Sequence, residues 1–384
     1  MSELKKLGDL IDLIDERNKN GIIKTLIGVS IDKCFIKSVA NTIGTDLSKY
    51  QIIRKFDFAC SLMQVSRDGK IPIACLKDFD EAIMSPAYYI FRIKNTDEIL
   101  PDYLSMWFMR SEFDREASYI AVGGVRGSMP WEDFCDMKLP VPPIEEQQKI
   151  VSAYNAVENR IKIKQKINEK LEATAQCLFE DLTKNKDSFE VKTIEEISES
   201  IICGKTPSTS VKEYWGKEIP FITIPDMHGN NFIHTTERYL SEQGKLSQAK
   251  QTLSANSICV SCIATVGLVS LTTKESQTNQ QINSIICKSD VSFYYVFLTL
   301  KNMTEELKRL GAGGSTTLNV SKSLFASIKL KIPSEKDMQN FDEKVSPLFA
   351  QILLNEKELE KLAQLKQLIV SQIANRQREE NDNA

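Results

Sequence analysis

Two stretches of the chain carry apolar residues at alternating steps of four and three. In the first, Ile150, Tyr154, Val157, Ile161, Lys164, Asn168, Leu171, Ala175, Leu178 and Leu182 form the seam. In the second, Phe341, Val345, Leu348, Ile352, Asn355, Leu359, Leu362, Lys366, Ile369 and Ile373 form it. This spacing is that of a coiled-coil contact, narrower than the stripe of a helix lying on a globular core. It predicts helices over about 145–182 and 335–374. The second seam is the first displaced by 191 residues, including a polar residue at the matched pair Lys164 and Asn355. Polar groups at seam positions cost stability and commonly fix register. Two such helices with globular sequence between them are expected to pack antiparallel on one another.

The repetition extends beyond the helices. Ala121-Val122-Gly123-Gly124 followed by Asp136-Met137-Lys138-Leu139-Pro140-Val141-Pro142 is matched by Gly311-Ala312-Gly313-Gly314 followed by Ser327-Ile328-Lys329-Leu330-Lys331-Ile332-Pro333. Upstream, Leu4–Leu10 parallels Val191–Ile197, and Tyr103–Phe108 parallels Phe293–Leu298, while the stretches between match poorly. A period near 190 residues is a duplicated domain, since solenoid repeats run roughly 20–50 residues. Each helix starts just after a proline, with acids in its first turn: Pro142-Pro143-Ile144-Glu145-Glu146 and Pro333-Ser334-Glu335-Lys336-Asp337. Proline fits the first helical turn, and the acids offset the helix dipole. The expectation is an α+β fold: two similar mixed α/β domains, 1–143 and 188–333, separated by two long helices, 144–187 and 334–384, packed as an antiparallel coiled coil.

Length agrees, since 384 residues suit two or three domains, each with its own core. The chain is 42% hydrophobic and 26% charged, and its longest weakly polar run, Ser257–Leu271, is too short and too rich in Ser and Thr to span a bilayer. No membrane association is expected, and no signal peptide is read at Met1-Ser2-Glu3-Leu4-Lys5-Lys6. Nine scattered cysteines point to a reducing cytoplasm and not to a disulfide scaffold. The net charge of −3 argues mildly against a nucleic-acid partner without excluding one, because a local basic face matters more than the total.

Catalytic and metal motifs are scarce. Gly204-Lys205-Thr206 looks like the end of a phosphate-binding loop, but Glu199 stands where the first glycine belongs and Pro207 follows where a helix should begin. Cys259-Val260-Ser261-Cys262 has zinc-ligand spacing without a second pair, so the expectation is a buried strand. With only His228 and His234, both in the second half, a duplicated histidine-based active site is impossible. There is no dinucleotide fingerprint and no nucleophile elbow, and Val141-Pro142-Pro143-Ile144 is not an adenine-methyltransferase motif. The chain is therefore expected not to be an enzyme by itself.

Two matched Gly- and Ser/Thr-rich loops remain. Gly123-Gly124-Val125-Arg126-Gly127-Ser128 and Gly313-Gly314-Ser315-Thr316-Thr317 could bring backbone N–H and hydroxyl groups to a phosphate chain, with Arg126 reaching a base edge or phosphate. The same composition also suits a plain hairpin or helix-end loop. The run Ile161-Lys162-Ile163-Lys164-Gln165-Lys166-Ile167 reads as a solvated helix face, flanked by Glu158, Glu169 and Glu172.

In the order and duplication of its motifs the chain resembles the specificity subunits of type I restriction-modification systems. The resemblance is carried by Leu139-Pro140-Val141-Pro142-Pro143-Ile144-Glu145-Glu146-Gln147-Gln148-Lys149-Ile150 and by Gly204-Lys205-Thr206-Pro207-Ser208 with Tyr214-Trp215-Gly216 and Ile219-Pro220-Phe221. Gly313-Gly314-Ser315 before Lys329-Leu330-Lys331-Ile332-Pro333, and Gly44-Thr45-Asp46-Leu47-Ser48-Lys49-Tyr50 in the first variable region, complete it. It covers nearly the whole chain. It implies two target-recognition domains, each reading half of an interrupted sequence in double-stranded DNA. It also implies spacer helices that dock two methyltransferase subunits, with restriction endonuclease/translocase subunits joining them. S-adenosylmethionine, ATP and Mg would then belong to those partners, and this chain would bind no cofactor or metal. Two departures stand out. The first region lacks the Gly-Lys-Thr-Pro-Ser opening of the second, and Glu335-Lys336-Asp337-Met338 replaces the Glu-Glu-Gln-Gln of the first helix.

A helix from Glu145 to Leu182 would be roughly 57 Å long, commensurate with roughly 17 base pairs of DNA and so with two short half-sites and a gap. The residues expected to face DNA are Arg126, Ser128, Lys205, Thr206, Ser208, Ser315 and Thr316. Those expected to pack the helices are Ile150, Val157, Ile161, Leu171, Leu178, Leu348, Ile352, Leu359, Leu362 and Ile369. The competing reading is a protein-interaction scaffold without DNA, supported by the negative net charge. A nuclease fused to a recognition module is weaker, because catalytic motifs are missing.

Overall fold

In the computed structural model, which describes residues 3–38, 46–63, 65–122, 127–184, 189–312 and 318–381, the chain divides into two units. Unit 1 comprises residues 1–161 and 362–384, and unit 2 comprises 162–361. Unit 1 runs β1 (Glu3–Lys6), α1 (Leu7–Leu10), β2 (Ile11–Ile14), β3 (Ile27–Val29), β4 (Phe35–Lys37), β5 (Gln51–Arg54), β6 (Phe58–Cys60), α2 (Val65–Asp68), β7 (Ile73–Cys75), β8 (Glu81–Met84) and β9 (Tyr89–Ile93). It continues with α3 (Pro101–Phe108), α4 (Ser111–Ala121), α5 (Trp131–Asp136), β10 (Lys138–Val141) and the start of α6 (Ile144–Lys184). Its largest sheet has the order β2-β9-β6-β7, and β1-β10, β3-β4 and β5-β8 form separate pairs. The core is aromatic: Phe58 stacks on Phe91 at 5.3 Å, and Trp107, Phe108 and Phe113 pack edge to face or tilted within 5.3 Å of each other.

Unit 2 begins in α6 and passes through β11 (Glu190–Thr193), α7 (Ile194–Ile197), β12 (Ser198–Cys203), β13 (Trp215–Ile222), α8 (Ile224–Met227), β14 (Phe232–Ile233), β15 (Arg238–Leu240) and α9 (Glu242–Leu246). Then come β16 (Ile258–Ser261), β17 (Val269–Thr272), β18 (Gln277–Thr278), β19 (Ile282–Cys287), α10 (Phe293–Asn302), α11 (Thr304–Gly311), α12 (Lys322–Ala326), β20 (Lys329–Ile332) and α13 (Glu335–Asn381). A five-stranded sheet, β12-β19-β16-β17-β14, stands beside a three-stranded one, β15-β13-β18. The core of the unit gathers Ile258, Val260, Leu271 and Ile285 from the larger sheet with Val296, Phe297 and Leu300 of α10 and Phe349 and Ile352 of α13.

The repeated frame is visible bond by bond. β1 pairs antiparallel with β10 from Glu3–Val141 to Lys6–Lys138, and β11 pairs with β20 from Glu190–Ile332 to Thr193–Lys329. Each pair ends in a four-residue helix entered by an equivalent bond, Leu7 N to Met137 O (2.8 Å) and Ile194 N to Ile328 O (2.9 Å). α3 and α10 also correspond, but two residues off the sequence alignment. Tyr103 donates to the Pro140 carbonyl (3.0 Å) and Tyr295 to the equivalent Lys331 carbonyl (2.7 Å), so Tyr103 matches Tyr295 and not Phe293. Both apolar runs satisfy helical spacing in either register, and only the phenol's hydrogen bond distinguishes them. Between these landmarks the described residues of the two units differ in strand number and order, as the poor match of the middles indicated.

α6 begins directly after Pro142-Pro143, and its Gln147 is wholly buried, accepting from Leu100 N and donating to the carbonyls of Glu98 and Pro142. The second helix puts buried Met338 at the equivalent place and is capped instead by Ser334, whose hydroxyl accepts from Asp337 N and donates to the Asp337 carboxylate. The two helix starts thus have unlike interiors, a hydrogen-bonded amide against a thioether. All twenty seam positions are buried or half-buried. In unit 1, Lys366 bonds Glu158 and lies 5.2 Å over the Tyr154 ring. In unit 2, Lys164 pairs with Glu358 at 2.9 Å and donates to Asn355, and Asn355 donates to Asn168 at 2.7 Å. Higher numbers on α6 meet lower ones on α13, the antiparallel order. The matched polar pair Lys164 and Asn355 meets face to face, where a register-fixing layer would be placed.

Among the described residues no helix is long and apolar enough to cross a membrane. Cys259 lies buried in β16 and Cys262 just beyond it, with burial pushing their thiols up to about 12 and about 11, so both stay protonated. No group of metal-ligating side chains occurs among the described residues.

Candidate nucleic-acid interface

The segment Gly204–Ser208 leaves the end of β12 and is fixed by the turn that joins β18 to β19. Gly204 N donates to Ile282 O (3.0 Å), Lys205 N to Thr278 O (2.9 Å), and the Thr206 hydroxyl to Gln280 Oε1 (2.7 Å). Glycine at 204 is dictated by crowding, because a Cβ there would stand 2.1 Å from the Asn279 carbonyl and 2.2 Å from Thr278 Oγ1. No helix follows, so the phosphate-loop appearance of Gly204-Lys205-Thr206 is incidental. The Lys205 carbonyl accepts from buried Gln248 (2.8 Å), which also donates to buried Gln277 (2.8 Å). With its backbone tied down on both sides, Lys205 leaves its side chain exposed, Thr206 is half-buried, and Ser208 is exposed with its hydroxyl 2.8 Å from that of Ser210.

The segment after the second Gly-rich loop is brought to the same corner. Val320 N donates to Cys262 O and Ala264 N to Leu318 O, while Asn283, paired with Cys203 across β19 and β12, donates its amide to Val320 O (3.2 Å). The loop at 204–208 and the exit from 313–317 therefore hang on the same strand end. Ser315 and Thr316 themselves, like Arg126 in the first repeat, lie outside the described residues. Ser128 is half-buried beside Gly127, whose φ of +74° and close approach to the Ser66 side chain both require glycine. Both Gly-rich loops follow equivalent helices, α4 and α11, and precede equivalent short ones, α5 and α12.

Gln248, Gln277 and Asn283 are positioning groups that sequence reasoning missed. Each is a buried amide, and nothing in local spacing marks a glutamine that holds a loop by its carbonyl. The Ile161–Ile167 run behaves as expected: Lys162, Ile163, Gln165, Lys166 and Ile167 are exposed, while Lys164 turns inward to Glu358.

A cleft between β14 and the helices of unit 2 has the opposite character. Glu169, Glu172, Glu356 and Glu360 line it together with His234, which sits 3.0 Å from Glu360. Glu356 accepts from the backbone N–H groups of Asn231 and Phe232, and Lys301 links Asn231 to Glu172. Burial pushes the Glu356 carboxyl up to about 7. A cleft lined by carboxyl groups is a poor place for a phosphate chain, whereas the 204–208 corner presents the exposed Lys205.

The family model of the type I restriction modification DNA specificity domain matches residues 2–173 and again 186–364. The chain belongs to the type I restriction-modification specificity subunit family. It is 31% identical over 376 residues to the Type I restriction enzyme HindI specificity subunit of Haemophilus influenzae, covering 78% of this chain and 82% of that protein. It is 25% identical over 293 residues to the EcoR124I/EcoR124II specificity subunit of Escherichia coli, covering 69% and 67%. In fold it is similar to the crystal structure of a type I restriction-modification S subunit from M. genitalium, with a TM-score of 0.65 at 13% identity over 97% and 96% of the two chains. The two matches of the family model fall one on each copy of the repeat read from the sequence.

Proposed function

We propose that the chain specifies a bipartite target in double-stranded DNA, each target-recognition domain reading one half. The domains are 1–143 and 188–333, with spacer helices at 144–187 and 334–384. The observation that carries this is the repetition of the frame around dissimilar loop-bearing middles: two similar mounts holding different surfaces suit two different half-sites. Lys205, Thr206 and Ser208, with Arg126, Ser128, Ser315 and Thr316, are the residues we assign to the DNA side, and base edges must supply sequence information while phosphates set register. In this reading the spacer helices dock two methyltransferase subunits, restriction endonuclease/translocase subunits join the assembly in the cytoplasm, and S-adenosylmethionine, ATP and Mg are bound by those partners.

Methylome sequencing of a host expressing the chain with its methyltransferase tests the proposal. Replacing residues 1–142 by the corresponding region of a relative should change one half-site and leave the other intact. Inserting four residues, about 6 Å of helix, into α6 should lengthen the gap and alter neither half. An uninterrupted target, or a swap that altered both halves, would overturn it. The scaffold reading draws on the net charge of −3 and the acidic cleft. A complex without salt-dependent DNA affinity would favour it.

A further inference from the structure

Beside the 204–208 corner, unit 2 carries an open groove bordered by Trp215, Gly216, Lys217, Arg238, Tyr239 and Lys274. Its floor is built by β13 and β15, which pair antiparallel from Ile219–Leu240 to Phe221–Arg238. Trp215 stands on Phe221, edge to face at 5.4 Å, and its indole N–H points at the Ser208 carbonyl (3.4 Å), the last residue of the corner loop. The central carbon of the Arg238 guanidinium lies over the indole, 3.6 Å from the ring centroid, and Lys274 extends over Tyr239 at 5.9 Å.

The charges here are unbalanced. Among the described residues no carboxylate lies within ion-pair distance of Lys217, Arg238 or Lys274. Glu218 is turned to the Lys217 backbone N–H (2.8 Å), Glu275 is paired with Lys245, and Glu237 borders the groove without bridging to any of the three cations. Stacking restrains the long Arg238 side chain while leaving the N–H edges of its plane free, so less freedom is lost when an oxyanion is bound. Ammonium groups supplied by two further segments suit a repeating charge more than a single base edge, because lysine acts as a point charge on a flexible stem.

We infer that Arg238, held on Trp215, and the flanking Lys217 and Lys274 form a phosphate-backbone clamp of the second target-recognition domain. This rests on the DNA-binding reading above and adds to it a division of labour. The groove holds the DNA strand evenly whatever its sequence, and the neighbouring 204–208 corner is left to discriminate. Arg238 and Lys217 are exposed, so their replacement does not threaten the fold.

The test is DNA binding by the full chain in complex with its methyltransferase, measured by fluorescence anisotropy between 50 and 300 mM salt on target and non-target duplexes. Each phosphate-neutralising cation contributes about 0.9 to the slope of log affinity against log salt. Arg238→Gln should lower that slope by about 0.9 and weaken both duplexes about equally, by roughly tenfold near 0.1 M salt. The triple variant with Lys217→Gln and Lys274→Gln should lower the slope by about 2 to 3. The methylated sequence should be unchanged in both. If wild type binds with a steep salt dependence but the triple variant keeps its slope, the clamp assignment fails and the DNA reading stands. If Arg238→Gln changes the methylated sequence, Arg238 reads a base and the clamp assignment is likewise overturned. If wild type shows no salt-dependent DNA affinity, both readings fail.

Discussion

The two units share a frame, and both pair many of their cations, but five arginines of the first and the groove arginine of the second are held differently. In unit 1, Arg17, Arg54, Arg67, Arg92 and Arg115 each lie against a carboxylate, and Lys33 is inserted against Asp114 in the interior. In unit 2, Arg238 is stacked on an indole with no carboxylate in ion-pair distance, and Lys205, Lys217 and Lys274 reach solvent without an ion pair among the described residues. A paired cation stiffens its own unit and has little charge left for a ligand. One held only by an aromatic face keeps its charge unanswered and available to a phosphate. The duplicated frame therefore does not imply duplicated contacts, and transferring a contact residue from one half to the other by alignment would mislead.

The largest effect in this comparison should come from Lys33. Its ammonium bonds Asp114 at 2.8 Å and the Phe108 carbonyl, and burial lowers its pKa despite the carboxylate. Lys33→Ala leaves Asp114 buried and unpaired, which should cost about 3–5 kcal/mol in urea unfolding of the chain. Lys33→Ala combined with Asp114→Ala should recover part of that loss. A single variant as stable as wild type would show that Lys33 is no more committed to the fold than the groove cations of unit 2.

Gly204→Ala probes the commitment of the 204–208 corner in unit 2, where backbone and not charge is fixed. A methyl group there must displace the Asn279 carbonyl and Thr278, shifting the strand end that also carries Val320 through Asn283. We expect a loss of about 2–3 kcal/mol, together with weaker DNA binding, read by urea midpoint and anisotropy. Unchanged binding would place the 204–208 corner away from the DNA.

The frame was legible in the sequence because it rests on period and on landmarks that both copies keep: the seam, the prolines before each helix and the strand-to-helix entry at Leu7 and Ile194. The seam matched Lys164 with Asn355 as equivalent positions, but that the two meet is a finding of the structure. The corner was half legible, since Lys205 and Ser208 sit in a loop that its prolyl and seryl composition announces. The groove was not legible at all. Trp215 was noted only as part of a motif, and Arg238, 23 residues further on, has no local signal of its own, because cross-strand pairing of β13 and β15 alone brings the guanidinium to the indole. The tyrosine register failed for the same reason, a long-range hydrogen bond deciding between two alignments that periodicity scores alike.

A smaller effect is expected in the acidic cleft. Glu356 has a folded pKa raised to about 7 from 4.5, with burial the main cause, and Glu172, Glu360, His234 and Lys301 face the same cleft. A raised carboxyl pKa means that the folded state binds the proton more tightly. Its contribution is therefore complete below the unfolded value near 4.5 and is lost as pH rises through about 7. Relative to Glu356→Gln, wild type should lose about 2 kcal/mol between pH 4.5 and 7.5, measured by urea midpoints at several pH values. Parallel profiles for the two proteins would show that the cleft is better solvated than its burial indicates.

The smallest effect, and the sharpest control for the comparison, belongs to Arg54. It is paired with Glu16 near the surface, both side chains are more than two-fifths exposed, and the arginine pKa is raised chiefly by that hydrogen bond. Exposed pairs contribute about 0–1 kcal/mol, so Arg54→Ala should shift the unfolding midpoint little. Because its charge is already answered by Glu16, the substitution should also leave the salt slope of DNA binding within about 0.3 of wild type, against about 0.9 for Arg238→Gln. Equal slope changes from the two arginines would mean that Glu16 gives way to DNA, and the contrast between a self-paired Arg54 and a ligand-ready Arg238 would collapse.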